Sequence, residues 1–249
     1  MIIYEYPFNE LVRSLLRLEY LFDRFEYFVN HEDARDQHAA IAILFDLAEI
    51  TARADLKSSL MKELDRQKSS LMSLKNSAQI NQDALNRTLG EMDSIWQQIN
   101  QTGKSNTGIL ESEWLNLIRS RLSIPGGTSP VDLPAYYAWQ FTPAENRIQL
   151  LKSYVQPLQA WNVASQMFLR LLRESGKPQA MNAPSGSYQQ MLSGKTYQLM
   201  RVFVEDPQLI PEISANKYML WTRFMISDGL AKPKPVGTDV SFQLSLCNF

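Results

Sequence analysis

The apolar period of this chain changes once, near Ala180, and that change limits it to a helical part followed by a strand part. Before it, large apolar side chains recur three and four residues apart. After it, residues 188–192 and 195–204 flank Ser193-Gly194 and read as two strands around a two-residue turn. Residues 217–226 form a third run and 238–246 a fourth, in which Val240, Phe242, Leu244 and Leu246 strictly alternate. One small antiparallel sheet is expected. At the other end of the chain, Ile2-Ile3-Tyr4-Glu5-Tyr6 is β-branched and aromatic, stops at Pro7 and needs a sheet to join. Its expected partners are the C-terminal strands. The fold class is therefore α+β, mainly α, with a helical domain over residues 8–178 and a β domain made from residues 1–7 and 179–249.

Within the helical part, Asn9 is placed to cap a helix to about Val29 whose inner face carries Leu11, Leu15, Leu18, Phe22, Phe25 and Val29. On another face Arg13, Arg17 and Arg24 stack as a stripe, for which a solvated face is the simplest reading and a recognition surface the sharper one. A second helix is expected over about residues 36–53, with Asp55 capping the third. Leu60, Leu64, Gln67, Leu71 and Leu74 on the third helix, and Leu85, Leu89, Met92, Trp96 and Ile99 on a fourth, repeat at alternating four and three. The short polar link 75–81 predicts an antiparallel hairpin that either packs on its own domain or pairs two subunits. After a loop at 101–108 and a helix at about 112–122, the stretch 117–139 must turn, because Pro125 lacks an amide donor and Gly126 and Gly127 permit angles closed to other residues. Arg119 and Arg121 lie just before this corner. Pro134 suits a first helical turn, and Thr142, Pro143 and Glu145 spell a capping box. The helix that follows carries Leu151 and Val155, meets Pro157, and resumes through Trp161 and Phe168 until Gly176 and Pro178 stop it.

Several function classes are disfavoured. A net charge of −1 over 249 residues argues against a dedicated nucleic-acid binder, although a local cationic patch is compatible with it. No run approaches the roughly 18–20 apolar residues of a bilayer span, no signal peptide opens the chain, and the lone Cys247 favours a reducing, cytoplasmic setting. Gly103-Lys104-Ser105 and Gly194-Lys195-Thr196 resemble ends of phosphate loops, but Gln98 and Gln189 stand where the loop needs its first glycine. His31 and His38 are the only histidines and have no accompanying zinc set or nucleophile motif, and Asp33 and Asp36 read as exposed helix-start acids. No catalytic residue, metal or cofactor is expected. Arg223 shares a strand face with Met219, Trp221 and Met225, either as a core-edge residue or as a recognition cation framed by contact area. The residues alone stop at an interaction protein, with a small-ligand binder or an enzyme using a cleft between the domains as the alternative.

A resemblance extends this reading. Tyr6-Pro7-Phe8-Asn9-Glu10 with Arg13 and Leu16-Arg17-Leu18-Glu19, then Leu60 with Lys62-Glu63-Leu64-Asp65-Arg66-Gln67, then Arg121-Leu122-Ser123-Ile124-Pro125-Gly126-Gly127 with Asp132-Leu133-Pro134, resembles the ZapD family of bacterial proteins that associate with the division Z-ring. Pro211-Glu212-Ile213-Ser214, Lys217 and Arg223-Phe224-Met225 continue it over essentially the whole chain. The resemblance implies a non-enzymatic cytoplasmic homodimer with a helical and a β domain. Such a dimer would bind the C-terminal tail of the tubulin-like protein FtsZ and cross-link its filaments at mid-cell. The family's basic positions matched here are Arg17, Arg53, Arg119, Arg121, Lys217 and Arg223, with Arg53 and Arg223 foremost. Relatives tend to carry a further arginine where this chain has Met219, which shifts that strand toward apolar contact.

Overall fold

The computed structural model describes residues 1–73, 75, 81–102, 107–227 and 229–249. Leu74, most of the expected 75–81 link and the Gly103-Lys104-Ser105 fragment lie outside them. The fold is α+β, and its contacts divide the chain into two compact units, Met1–Arg13 with Phe168–Phe249, and Ser14–Met167. No helix among the described residues is long and apolar enough to cross a membrane.

Strand β1 (Ile2–Pro7) is followed by α1 (Glu10–Val29), whose first turn is closed by the Val12 amide donating to Asn9 Oδ1 at 2.8 Å. Leu15, Leu18, Phe22, Phe25 and Val29 are buried, as their spacing requires, whereas Leu11 is half-buried and Val12 is buried beside it. Helix α2 (Ala34–Thr51) starts two residues earlier than expected because the Asp33 carboxylate accepts from the Arg35 amide at 2.8 Å and so caps the helix itself. Arg35 also grips that carboxylate through its side chain, which holds the Asp33 carboxyl well below the usual carboxylate range. The α2 helix is buried nearly all round, through Ala40, Ile41, Leu44, Phe45, Leu47 and Ala48, and touches the helices Ala54–Ser73, Glu113–Leu122 and Ala144–Val155, which makes it the axis of its unit.

Helix α3 (Ala54–Ser73) begins one residue before Asp55, so that acid lies inside the first turn and the expected cap is not formed; Asp55 instead accepts from the side chain of Arg53. Helix α4 (Gln82–Gln101) is capped by Asn81, whose Oδ1 accepts from the Ala84 amide at 3.0 Å. The pair is antiparallel, since Lys57 near one end of α3 donates to the Asn100 and Thr102 carbonyls at 3.0 and 2.6 Å while Lys68 pairs with Asp93. The buried seam is Leu56, Leu60, Leu64 and Gln67 against Leu85, Met92, Ile95 and Ile99. Ile95 therefore takes the buried place expected of Trp96, which is half-buried.

Helices α5 (Thr107–Leu110) and α6 (Glu113–Leu122) lead into the corner, α6 being capped by Ser112 Oγ on the Leu115 amide at 3.2 Å. At the corner Gly126 has φ +69°, and a Cβ on Gly127 would meet the Arg121 carbonyl at 2.7 Å and Ile124 Cβ at 2.8 Å, so both glycines are needed for different reasons. Helix α7 (Pro134–Trp139) has its proline in the first turn. Tyr136 stacks on Trp139 at 5.5 Å and its hydroxyl meets His38 Nδ1 of α2 at 2.8 Å, which pins α7 to α2. The expected capping box before α8 (Ala144–Val155) does not form. Thr142 Oγ1 donates back to the Trp139 carbonyl at 2.7 Å, and Pro143 rather than Thr142 is the cap. A single 3-10 turn at Gln156–Leu158 accommodates Pro157 before α9 (Gln159–Glu174).

The strands that follow are β2 (Gln179–Ala183), β3 (Ser187–Met191), β4 (Leu199–Val204), β5 (Leu209–Ala215), β6 (Met219–Ile226), β7 (Lys234–Pro235) and β8 (Val240–Cys247). They form two sheets, in the orders β1-β4-β8-β2 and β3-β6-β5, with β7 beside β6. This corrects the single expected sheet. The turn at Ser193-Gly194 has the expected positive φ at both residues, 49° and 73°, yet it does not make a hairpin, because β3 pairs with β6 while β4 pairs with β1 and β8. The N-terminal strand does pair as expected, with Ile3 opposite Phe203 and Tyr6 opposite Met200. Met200, Val202, Phe242 and Leu244 of one sheet meet Leu220 and Phe224 of the other, with Phe224 and Phe242 ring centroids 5.0 Å apart. Across the end of α9, Arg173 donates to both oxygens of Glu5 at 2.9 and 2.8 Å, and Arg201 adds a third bond at 2.9 Å.

Candidate partner-binding site

Arg17, Tyr20 and Leu21 lie three and four residues apart and so share one side of α1. Asp46, Glu49 and Ile50 do the same on α2. Together they line an open, mainly apolar groove of about 350 Å³. From α6, Arg119 brings a guanidinium to 3.6 Å from Glu49 Oε2 and 5.7 Å from the centre of the Phe45 ring. Glu49 thus faces the cation of α6 and lines the same groove as Arg17. Burial and the like charge of Glu49 push the Asp46 carboxyl up, against the pull of Arg119. One turn after Glu49, Arg53 holds Asp55 Oδ2 at 2.9 Å, and that bond draws the Asp55 carboxyl down.

Arg121 is half-buried in the last turn of α6, two residues from Arg119 and hence on a different side of the helix. Its backbone carbonyl accepts from the Ile124 amide at 3.0 Å and so shapes the corner. In the unit Ser14–Met167 the structure accordingly sets Arg119 at Glu49, places Arg17 in the groove that Glu49 also lines, puts Arg53 just beyond the end of α2, and leaves Arg121 apart.

The other two expected cations are in the strand unit. Arg223 and Trp221 are exposed on one face of β6, whose opposite face carries the buried Leu220, Thr222 and Phe224. In register, Arg223 sits between Glu212 of β5 and Ser187 of β3. An open groove of about 600 Å³ runs over this face, lined among others by Trp221, Arg223, Glu212 and Ser214. Lys217 lies in the turn Asn216–Met219, its ammonium 4.7 Å from the centre of the Tyr218 ring; Asn216 Oδ1 fixes that turn by accepting from the Tyr218 and Met219 amides at 2.8 and 3.0 Å. Met219 is half-buried and paired with the exposed Met191 of β3.

Sequence reasoning did not single out Tyr20, Asp46 or Glu49. A signal existed: in Ile41–Ile50 the acids Asp46 and Glu49 are the only charges in an otherwise apolar run, three apart and so on one side of the helix. Among the described residues no group of three or more His, Cys, Asp or Glu could hold a metal ion.

An α+β chain with arginines set beside aromatic and aliphatic side chains has the surface chemistry of a partner-binding protein. Comparison with known proteins gives the family: residues 16–223 match the ZapD family, described as a cell division protein. Two relatives, from Cupriavidus taiwanensis and Cupriavidus necator, are each named cell division protein ZapD. Each is 51% identical over 252 aligned positions, covering 100% of both chains. The chain belongs to the ZapD family of cell division proteins.

Proposed function

We propose that this chain is a non-enzymatic, cytoplasmic division factor that acts at mid-cell by binding the C-terminal tail of FtsZ. As a homodimer with two equivalent sites it cross-links and bundles FtsZ filaments. Arg17, Arg53, Arg119, Arg121, Lys217 and Arg223 supply the cations, with Arg53 and Arg223 the principal tail contacts. The observation that carries the reading is Arg223 exposed beside Trp221 over an open groove, in a chain that resembles division proteins over its whole length. A tail carrying carboxylates and apolar anchors is matched by a guanidinium next to aromatic area, since the guanidinium offers two parallel donors. Two sites per dimer make each weak contact effective once a filament displays many tails.

The test is binding of a fluorescently labelled FtsZ tail peptide, followed by anisotropy, alongside sedimentation equilibrium for the dimer. Binding should weaken as salt rises, and Arg53→Glu and Arg223→Glu should each weaken it about five-fold or more. A peptide affinity unmoved by both variants would remove these residues from the contact.

A further inference from the structure

The edges of the two sheets are not alike. Pro7 in β1, Pro211 in β5 and Pro235 in β7 each remove an amide that an added strand would need. Strand β3 has no proline and no charged residue. Strand β2 also lacks both, but only β3 lines the groove of Trp221 and Arg223. The Leu192 amide donates to the Tyr218 carbonyl at 2.7 Å, one step beyond the ladder that pairs Met191 with Met219. Backbone groups alternate along a strand, so Tyr188 and Gln190 also face β6, and Gln189 and Met191 face away from it. Among the described residues nothing bonds to the backbone of those two, whereas the Ser187 amide is held by the Pro184 carbonyl. The side chains of Ser187, Gln189 and Met191 are exposed on the same face as their neighbours in register, Arg223, Trp221 and Met219. Met191, 71% exposed, gives that face an apolar end. At the other end Arg223 makes no ion pair among the described residues, although Glu212 is its neighbour on β5.

We infer that the free edge of β3 is a strand-addition site, at which an extended segment of a partner protein pairs antiparallel with Ser187–Met191 and lays alternate side chains over the groove. Gln189 and Met191 each exchange two backbone hydrogen bonds with the residue opposite, which holds the segment whatever its sequence. Its side chains supply the selection. The residue opposite Met191 is apolar and rests on Met191 and Met219. The residue four positions further on, about 13 Å away along the strand, lies opposite Ser187 and is acidic. Ser187 is too short to screen it from Arg223. Glu212 stands on the far side of Arg223, three strand spacings or about 14 Å from that carboxylate, which is beyond the screening length of about 10 Å. This rests on reading the Trp221–Arg223 face as a peptide-binding surface and adds how the backbone of the ligand is held.

The probe is a short synthetic peptide with leucine, valine and glutamate at its second, fourth and sixth positions and threonine at the others, titrated into the full chain while amide exchange is followed by NMR. Without peptide, the Gln189 and Met191 amides should exchange fast and those of Tyr188, Gln190 and Leu192 slowly; bound peptide should slow the first two about ten-fold or more. N-methylation of the peptide's valine, whose amide faces Gln189, should weaken binding about five-fold or more, and N-methylation of the threonine before it, whose amide faces solvent, should change it less than about two-fold. No binding, binding that leaves Gln189 unprotected, or equal weakening by both methyl groups overturns the inference. Protection of Gln189 without peptide, as when two copies of the chain pair through β3, overturns it too. The FtsZ tail is titrated separately. A tail that fails where the synthetic peptide binds removes FtsZ and keeps the edge, and a tail that binds without protecting Gln189 does the reverse.

Discussion

Arg147 of α8 is 5% exposed, and among the described residues it makes no ion pair, although its charge helps to hold the Asp33 carboxyl low. Its guanidinium donates instead to Gln37 Oε1 at 2.5 Å, to the Glu32 carbonyl at 2.5 Å, to the Gln140 carbonyl at 3.0 Å and to the Thr142 carbonyl. It thereby ties α8 and the preceding turn to the start of α2, the helix that carries Asp46 and Glu49 and leads to Arg53. Replacing it by methionine keeps most of the stem and removes every donor together with the guanidinium that lies 6.0 Å from the centre of the Trp139 ring. Glu32 and Thr142 are exposed residues whose carbonyls can turn to water, whereas Gln37 is fully buried and Gln140 half-buried. Each buried acceptor left without a donor costs about 1–3 kcal/mol, so Arg147→Met should destabilise this unit by about 3 kcal/mol. Arg147→Lys keeps the charge and fewer donors, and should cost about half as much. Urea unfolding followed by tryptophan fluorescence measures the loss, since Trp114 and Trp139 adjoin the site. A loss below about 1 kcal/mol for Arg147→Met would show that the network is not what holds α8 to α2.

Three further outcomes follow from the same geometry. Gly127→Ala should destabilise by about 1–3 kcal/mol and disturb the end of α6, because its Cβ would press on Arg121 and Ile124. Gly126→Ala has open space and only the left-handed backbone to oppose it, so its cost should be about 1–2 kcal/mol; thermal melts of both variants separate crowding from strain. Burial lowers the pKa of His38, so its folded form resists protonation. The neutral ring's contribution is then complete above the ordinary imidazole pKa of about 6.5 and is lost as pH falls below it toward the folded value, and His38→Gln should flatten that slope in melts between about pH 5 and 7.

Local chemistry was more legible in the sequence than strand pairing, of which only the joining of β1 to the C-terminal strands was read. The Asn9 cap, most of the buried face of α1 and, of the heptad seam, Leu60, Leu64, Gln67, Leu85, Met92 and Ile99 follow from spacing within a few residues and formed, whereas Ile95 replaced Trp96. The Ser193-Gly194 turn was also read correctly as a turn, but which strands flank it as partners depends on contacts far along the chain. Strand β5 went unread because Pro211 sits in its middle, a residue a ladder tolerates at an edge, and β5 is an edge strand. Strand β2 is short and polar, directly after the helix-stopping Gly176 and Pro178, so no alternating pattern marks it. At the candidate site the cations stood out in the sequence, while their carboxylate neighbours Glu49, Asp55 and Glu212 gained meaning only once helices and strands had set them opposite one another.

Co-sedimentation of this chain with polymerised FtsZ, intact and with its C-terminal tail removed, tests the proposed function most directly. The chain should pellet with intact filaments, Arg53→Glu and Arg223→Glu should lower the pelleted fraction, and tail-deleted filaments should leave the chain in the supernatant. Equal pelleting with intact and tail-deleted FtsZ would contradict it.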